Sequence, residues 1–354
     1  MDGYLATSAL GGSLLSGLGG LRRTLRAPIG CVGVGLHSGA RVAMTLRPAP
    51  PGTGIVFRRT DIDLEIPARF DQVGDTRLCT ALGSSERAAH RIGTVEHILA
   101  ALAGAGVHDA LIELDGPEVP ILDGSARDFL FLIDSAGVVD NALPLSVLEV
   151  LKPVRVTETD DTDSAWAELR PAASGAGWSA AFEAALTIDF PNTAIGRQSL
   201  AVRVTPQTFR HALADARTFT LAEDVARLRA AGLARGGSLA NAVVVDGPMV
   251  LNPTGLRSAD EFVRHKLLDV VGDLSLAGHP ISGRFSGYRS GHALNNRLLR
   301  ALFADRAAWR VVEQDWAMPA VSRMPPLRVP AGAMATETAR ETARSRDAAM
   351  ATAA

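Results

Sequence analysis

Cysteine is almost absent from this chain of 354 residues, which contains only Cys31 and Cys79. Two cysteines cannot build the disulfide framework of a small secreted protein, and neither has a second cysteine at the spacing of a cysteine-ligated zinc site. The sequence therefore excludes a cysteine-based metal centre, and it fits a protein of the reducing cytoplasm.

Long runs of one residue character are also missing. No stretch of about 18 consecutive apolar residues occurs, so the sequence predicts no transmembrane helix. No long basic run occurs either, and the net charge is −2 with a pI near 6.5, which argues against nucleic acid as a partner. Residues 1–21 contain Asp2 and lack the basic start of a signal peptide, so we expect a cytoplasmic protein.

The composition that remains is that of an ordinary globular protein, with 47% hydrophobic and 21% charged residues. The length suggests two domains, and strand and helix patterns alternate in both halves, so we predict two similar α/β sandwiches. The predicted organisation is a disordered leader (1–21), an N-terminal domain (22–144) ending in a linker (141–144), a C-terminal domain (145–325) and a disordered tail (326–354).

One predicted helix organises the chain. Ser258 and Glu261 have the spacing of a capping box, and an apolar stripe of one helix face follows them. His265, Asp269 and Asp273 succeed one another at intervals of four residues, so they share a second face. An imidazole and a carboxylate at this spacing can bind one divalent metal, although an isolated pair is ordinarily a solvated ion pair.

A second motif places Glu96 and His97 directly after Thr94, which the sequence predicts to be the N-cap of an alanine-rich helix. The positive end of the helix dipole favours an ionised Glu96 and a neutral His97, and neutral imidazole is the form that binds metals. A histidine in a first turn is more often a surface residue, so this motif alone decides nothing.

Three further segments receive structural predictions. Asp75–Thr80 is predicted to be a strand, and Ser125–Ala136 a helix ending at Gly137. The carboxylates between Glu118 and Ser125 lack the loop spacing of an EF-hand, so we interpret them as turn residues rather than calcium ligands.

Taken together, the polar residues form a plausible hydrolytic set. His292 lies on a glycine-flanked turn that enters a helix, where a capping role would be the ordinary interpretation. Two neutral imidazoles and one carboxylate would leave a fourth zinc position open, and a further carboxylate and histidine could move protons. The hypothesis is metal-assisted amide hydrolysis with ligands His97, His265 and Asp269, base Glu96, and acid His292 held as a cation by Asp273.

Six short motifs, in chain order, resemble one family, the UDP-3-O-acyl-N-acetylglucosamine deacetylases. These zinc amidases act in lipid A (lipopolysaccharide) synthesis of Gram-negative bacteria. The resemblance runs from about Arg22 to Trp316 and rests on these motifs: Gly33–Gly39, Thr94–His97, Glu118–Ser125, Phe262–Asp269, Gly272–Leu274 and Ser290–Asn295.

The resemblance implies an α+β fold of two similar domains with the active site between them, and one zinc ion per chain. It implies the same ligands, base and acid as the hypothesis above, and it adds Thr218 as a residue that helps hold the oxyanion. The implied contacts to a UDP-linked acylated amino sugar are Lys266 and Arg289 at the diphosphate, Asp189 and Phe190 at the nucleotide, Leu78, and Phe219 in an acyl-chain insert at about 217–245.

Two positions depart from the usual family pattern. Leu221 stands where a second aromatic residue is common near the acyl passage, and Pro191–Ala194 replaces a histidine-containing segment after Phe190. The mouth of the passage and the nucleotide contacts are the features that these departures affect.

Three alternatives stay open at this point. Ferrous iron could occupy the same ligand set, and an iron oxygenase would use two histidines and one carboxylate, but it would leave Glu96 and His292 without a role. A nucleotide-sugar-binding protein without activity would not need them either. We expect a monomer that binds a small molecule, and no nucleic acid.

Overall fold

The computed structural model describes residues 20–159, 164–173 and 182–313. The predicted tail (326–354) and all but the end of the predicted leader (1–21) lie outside these residues, as do residues 160–163. The described residues combine helices and sheets, which confirms the predicted α+β class. No helix among them is long and apolar enough to cross a membrane.

The described residues of the first half, from residue 20 onward, form ten strands and two longer helices. Short 3-10 helices occupy Phe70–Gln72 and Ala88–His90. The helices are α1 (Glu96–Ala105) and α2 (Arg127–Ala136). The strands are β1 (Leu21–Leu25), β2 (Ile29–Val34), β3 (Arg41–Pro48), β4 (Ile55–Arg59), β5 (Leu64–Pro67), β6 (Val73–Asp75), β7 (Ala81–Gly83), β8 (Arg91–Ile92), β9 (Ala110–Leu114) and β10 (Val138–Pro144).

These strands form three sheets. The largest has the order β2-β3-β9-β4-β5, in which β4 and β9 are parallel and the other neighbours are antiparallel. A small sheet has the order β6-β7-β8, and β1 pairs with β10. Helix α1 is alanine- and leucine-rich and almost wholly buried, and it ends at Gly106, whose left-handed conformation closes the last turn.

In the second half, the part of the chain that the structure describes forms ten more strands and four helices. A π-helical turn, Phe209–Leu213, directly follows α3. The helices are α3 (Pro206–Thr208), α4 (Ala222–Ala230), α5 (Glu261–Ser275) and α6 (His292–Ala304). The strands are β11 (Ser146–Val150), β12 (Val154–Thr157), β13 (Trp166–Arg170), β14 (Phe182–Phe190), β15 (Gly196–Val204), β16 (Phe219–Leu221), β17 (Val243–Asp246), β18 (Met249–Val250), β19 (Ile281–Tyr288) and β20 (Trp309–Glu313).

Strand β19 pairs with three other strands of a seven-stranded sheet. It pairs parallel with β11 and β14 and antiparallel with β13, while β12, β15 and β20 extend the sheet outward. Strands β16, β17 and β18 form a separate three-stranded sheet in that order. The two large sheets thus come from separate halves of the chain, and the predicted domain boundary at residue 144 stays a prediction.

Helices α1 and α5 pack against each other, and a glycine makes their close approach possible. Side chains of α5 such as Phe262, Val263 and Leu267 are fully buried. At Gly272, a methyl group would overlap the backbone carbonyl of Glu96, the first residue of α1. The absence of a side chain at Gly272 therefore lets the first turn of α1 lie directly on α5.

Several local predictions were wrong, each because a side chain has a distant partner. Thr94 is not the N-cap of α1, because its hydroxyl donates to Glu118 and its backbone is left-handed (φ 56°). The predicted capping box fails because Glu261 binds Arg217 instead of capping α5.

Three element boundaries also differ from the predictions. Of the segment predicted as one strand, only Asp75 lies in a strand, and residues 76–80 form a connection between β6 and β7. Residues 141–144, predicted to be a linker, are the end of β10, and Pro144 pairs with Leu21 of β1. Helix α2 begins at Arg127 rather than Ser125, since Ser125 is bonded to Asp123.

Candidate active site

Three predicted metal ligands converge in the structure. The Nε2 atoms of His265 and His97 lie 3.4 Å and 3.7 Å from the same carboxylate oxygen of Asp269, Oδ1. His97 comes from the first turn of α1, whereas His265 and Asp269 are one turn apart on α5. All three side chains are buried, and one ligating atom from each lies within 4.8 Å of the other two.

The side chains of this trio have the protonation states that metal ligands need. Burial, and then the neighbouring His265, lower the pKa of His97 to about 3, so its imidazole is neutral. The backbone carbonyl of Ala216 lies 3.0 Å from Nδ1 of His265, which places the proton on Nδ1 and leaves Nε2 facing Asp269. Burial raises the pKa of Asp269, but neighbouring groups, Lys266 first, lower it more, so its carboxylate is ionised.

The trio fits a small divalent cation. With metal–nitrogen bonds of about 2.1 Å, tetrahedral coordination places neighbouring ligand atoms about 3.4 Å apart, close to the spacing found here. Asp269 Oδ1 is buried and has no hydrogen-bond partner among the described residues. A buried, ionised and unpartnered oxygen is costly unless a cation binds it.

Glu96 and His292 stand next to the trio. Glu96 Oε1 lies 3.7 Å from His292 Nε2, and Asp269 Oδ2 lies 4.0 Å from the same nitrogen. On the other side of the imidazole ring, Nδ1 is 2.9 Å from Oδ2 of Asp273. The ring is thus oriented by Asp273 and presents its second nitrogen to Glu96 and the metal-binding trio.

The two carboxylates act on His292 against the effect of burial. Burial lowers the pKa of His292, but the charges of Asp273 and Glu96 outweigh it and raise the pKa to about 9. Burial raises the pKa of Glu96 to about 8, with Asp269 and Asp273 adding to the rise against the opposing charge of His292. Desolvation therefore opposes the ionised state of Glu96 that the helix terminus favours. A bound divalent cation would favour the ionised carboxylate.

Lys266 is held by the trio itself. Its Nζ lies 2.8 Å from Asp269 Oδ2, whereas His97 and His265 face Oδ1. Its side chain is 18% exposed, so the ammonium group borders solvent while it neutralises Asp269.

A cavity of about 400 Å³ lies beside the trio. Its wall includes Leu78, Thr218 and Phe219 together with the insert residues Val225 and Leu228. The Phe219 ring lies 6.2 Å from the His265 ring, which joins the cavity to the trio. The structure thus brings three more of the predicted site residues to one place.

The remaining predicted contacts lie at one end of β14 and β19. Phe190 packs edge-on against Phe219, with ring centroids 5.7 Å apart. Asp189 accepts a hydrogen bond from the Tyr288 hydroxyl (3.2 Å), and Arg289 follows Tyr288 with its guanidinium 5.9 Å from the tyrosine ring. Phe190 is thus connected to His265 of the trio through the Phe219 ring.

The sequence predictions missed the polar residues that support the site. Thr80 donates to Asp273 through its hydroxyl (2.5 Å) and to Glu96 through its backbone N–H (3.0 Å). Asn295 donates to Asp273 (2.8 Å), and Ser290 fixes the Asn295 amide (2.7 Å). Both Ser290 and Asn295 lie in a motif used for the resemblance, but only the fold brings them to Asp273.

The comparisons with known proteins agree with this geometry. The family model described as LpxC, UDP-3-O-acyl N-acetylglycosamine deacetylase, matches residues 22–304. The chain belongs to this deacetylase family. A relative named UDP-3-O-acyl-N-acetylglucosamine deacetylase from Shewanella frigidimarina is 47% identical over 298 residues, which cover 83% of this chain and 93% of the relative. A relative of the same name from Shewanella oneidensis is 46% identical over 295 residues, or 82% and 92% of the two chains.

Membership confirms the resemblance found in the sequence. The LpxC family consists of metalloenzymes, and the His97, His265 and Asp269 trio is a possible metal site of this chain. The match ends close to the end of α6, so it spans all the residues described above as the candidate site.

Proposed function

We propose that this chain hydrolyses the N-acetyl group of a UDP-3-O-(3-hydroxyacyl)-N-acetylglucosamine and releases acetate, as a step of lipid A synthesis. His97, His265 and Asp269 would hold one zinc ion, and Glu96 and His292 would be the base and the acid. The observation that carries the proposal is the position of the Glu96–His292 pair, 3.7 Å apart, directly beside a three-ligand metal site.

A bound metal would supply Lewis acidity, which stabilises negative charge on the oxygen atoms of the reacting amide and water. Glu96 accepts the proton of the attacking water at Oε1, because Oε2 is occupied by the N–H of Thr80. A carbon–oxygen bond forms, and the carbon–nitrogen bond breaks as His292 donates its Nε2 proton to the leaving nitrogen. The products are acetate and the free amine.

Thr218 would help stabilise the oxyanion, as the resemblance implies. Lys266 and Arg289 are the cations assigned to the diphosphate, and Asp189 and Phe190 are assigned to the nucleotide. The apolar cavity lined by Leu78 and Phe219 would enclose the acyl chain.

We also propose zinc as the resident metal and the cytoplasm as the location. Ferrous iron suits the same two-histidine, one-carboxylate set, so iron is the alternative metal. Both cysteines are free thiols in the structure, which is consistent with a reducing compartment.

Product analysis tests this function against its alternatives. The purified protein is incubated with the UDP-linked substrate, and acetate, free amine and oxygen consumption are measured with and without a chelator. We expect acetate and amine in equal amounts, chelator-sensitive, without oxygen consumption. Oxygen consumption would indicate an oxygenase, and substrate binding without product would indicate a binding protein; either result would overturn the proposal.

A further inference from the structure

Thr80 connects two carboxylates that belong to different helices. Its side chain donates to Oδ1 of Asp273 on α5 (2.5 Å), while its backbone N–H donates to Oε2 of Glu96 on α1 (3.0 Å). Thr80 is 1% exposed and lies in the connection between β6 and β7, outside both helices.

We propose that Thr80 is a positioning residue for the acid–base pair, acting on His292 through Asp273 and on Glu96 directly. The inference rests on the proposed function, because it concerns the residues to which that function assigns proton transfer. Thr80 does not contact substrate in this role; it fixes which oxygen of each carboxylate is turned toward the reaction.

The hydrogen bonds around Asp273 leave its carboxylate one orientation. Oδ1 accepts from the Thr80 hydroxyl, and Oδ2 accepts from the Asn295 amide (2.8 Å) and from Nδ1 of His292 (2.9 Å). A carboxylate terminus otherwise rotates within a broad, roughly two-fold well. Without the Thr80 hydroxyl, Oδ1 would be buried without a partner, and the carboxylate could rotate away from His292.

The Asn295 amide cannot replace Thr80. The Ser290 hydroxyl donates to Oδ1 of Asn295 (2.7 Å), which fixes the amide so that its NH₂ group faces Oδ2 of Asp273. Asn295 and His292 therefore hold the same oxygen, and Thr80 alone holds the other among the described residues. The orientation of the His292 ring therefore depends on Thr80 holding Oδ1 of Asp273 while Asn295 and His292 share Oδ2.

Thr80 also gives the two carboxylate oxygens of Glu96 different surroundings. Oε2 is held by the Thr80 N–H, and Oε1 is the oxygen that lies 3.7 Å from His292 Nε2. Gly272 also lets the first turn of α1, which carries Glu96, lie directly on α5. Thr80 bonds to the carboxylates of both Glu96 and Asp273, so it takes part in placing both the base and the acid. A side-chain substitution removes only the bond to Asp273, because the backbone N–H stays.

The test uses the full-length metal-loaded protein and the variants Thr80→Val, Thr80→Ser and Asp273→Asn. Thr80→Val keeps the shape and removes the hydroxyl; we expect kcat to fall on the order of 10–100-fold, as for other partners of oriented site residues. KM should stay within about twofold and bound metal should stay at the wild-type level, while Thr80→Ser should restore kcat. When Asp273→Asn is already present, adding Thr80→Val should lower kcat little further, because the Thr80 hydroxyl acts on His292 only through Asp273.

Thr24→Val is the matched control. Thr24 is also a buried threonine, but its hydroxyl donates to the backbone carbonyl of Asp109 and accepts from the backbone N–H of Ala49. This variant should lower the thermal midpoint and leave kcat unchanged. If Thr80→Val keeps wild-type kcat, or if its effect is fully additive with Asp273→Asn, the inference is wrong.

The proton NMR signal of the His292 Nδ1–H group tests the inference without substrate. Asp273→Asn should remove its low-field position, Thr80→Val should shift it upfield, and Thr80→Ser should restore it. A wild-type protein that releases no acetate would refute the proposed function, whereas an unchanged signal in Thr80→Val would refute the positioning role alone.

Discussion

At the scale of single residues, His292 has different partners at its two nitrogens. Nδ1 is bound to Asp273, and Nε2 faces Glu96, so protonation and orientation of the ring are set from one side while the other side faces the reaction. A base at the trio and an acid held by its own carboxylate are the two elements that amide hydrolysis requires beyond a metal.

Removing either proton-transfer group should separate catalysis from metal binding. For Glu96→Gln and His292→Ala we expect kcat to fall on the order of 10²–10⁴, the usual contribution of a positioned acid or base. Bound metal should stay at the wild-type level, because neither side chain belongs to the trio. The exposed His90→Ala serves as control; near-normal turnover of His292→Ala would exclude His292 as the acid.

The alkaline limit of activity should depend on Asp273. His292 must be protonated to donate, and its pKa of about 9 reflects burial outweighed by the charges of Asp273 and Glu96. Activity should therefore fall as pH rises through this range. Of the two charges, that of Asp273 raises the pKa of His292 more. Asp273→Asn removes it, so the alkaline limb of kcat against pH should move to lower pH. A limb that stays in place would assign it to another group.

At the scale of elements, the site depends on how closely α1 lies on α5. An alanine within a helix is ordinarily about 1 kcal/mol better than a glycine. At Gly272 the sign should reverse, because the added methyl group meets the backbone of Glu96 and cannot be relieved by a side-chain rotation.

For Gly272→Ala we expect a loss of about 1–3 kcal/mol in the free energy of unfolding, the usual cost of overpacking. Metal affinity should fall as well, since His97 is displaced together with the first turn of α1. Denaturant unfolding and metal titration measure the two effects. An unchanged or more stable Gly272→Ala protein would show that the helices can separate without cost.

The insert should make the enzyme sensitive to acyl-chain length. If the chain lies in the cavity lined by Phe219, Val225 and Leu228, each buried methylene contributes about 0.8 kcal/mol, or about fourfold in kcat/KM. Substrates with progressively shorter chains should lose kcat/KM accordingly, and Leu228→Ala should flatten this dependence. Constant kcat/KM across chain lengths in the wild type would place the acyl chain in solvent.

At the scale of the whole molecule, the parts of the site that were predictable from sequence are the local ones. His265, Asp269 and Asp273 share a helix face by spacing alone, and the short motifs were sufficient to find the family.

What the sequence could not supply are contacts between distant segments. Glu261 has the spacing of a cap but binds Arg217, 44 residues away, in a buried ion pair. Thr80 and Asp273 are 193 residues apart, and no local pattern marks either as a partner. The desolvation of Glu96 could not be read from the sequence for the same reason, because it depends on the packed surroundings rather than on the helix position.

The measurement that tests the central claim most directly is a titration of metal-free protein with Zn²⁺, followed by bound metal and acetate release in parallel. We predict that both rise together and stop at one metal per chain in the wild type, and that His265→Ala neither retains the metal nor gains activity. Full metal binding by His265→Ala, or acetate release by metal-free protein, would contradict the assignment of the trio as the catalytic metal site.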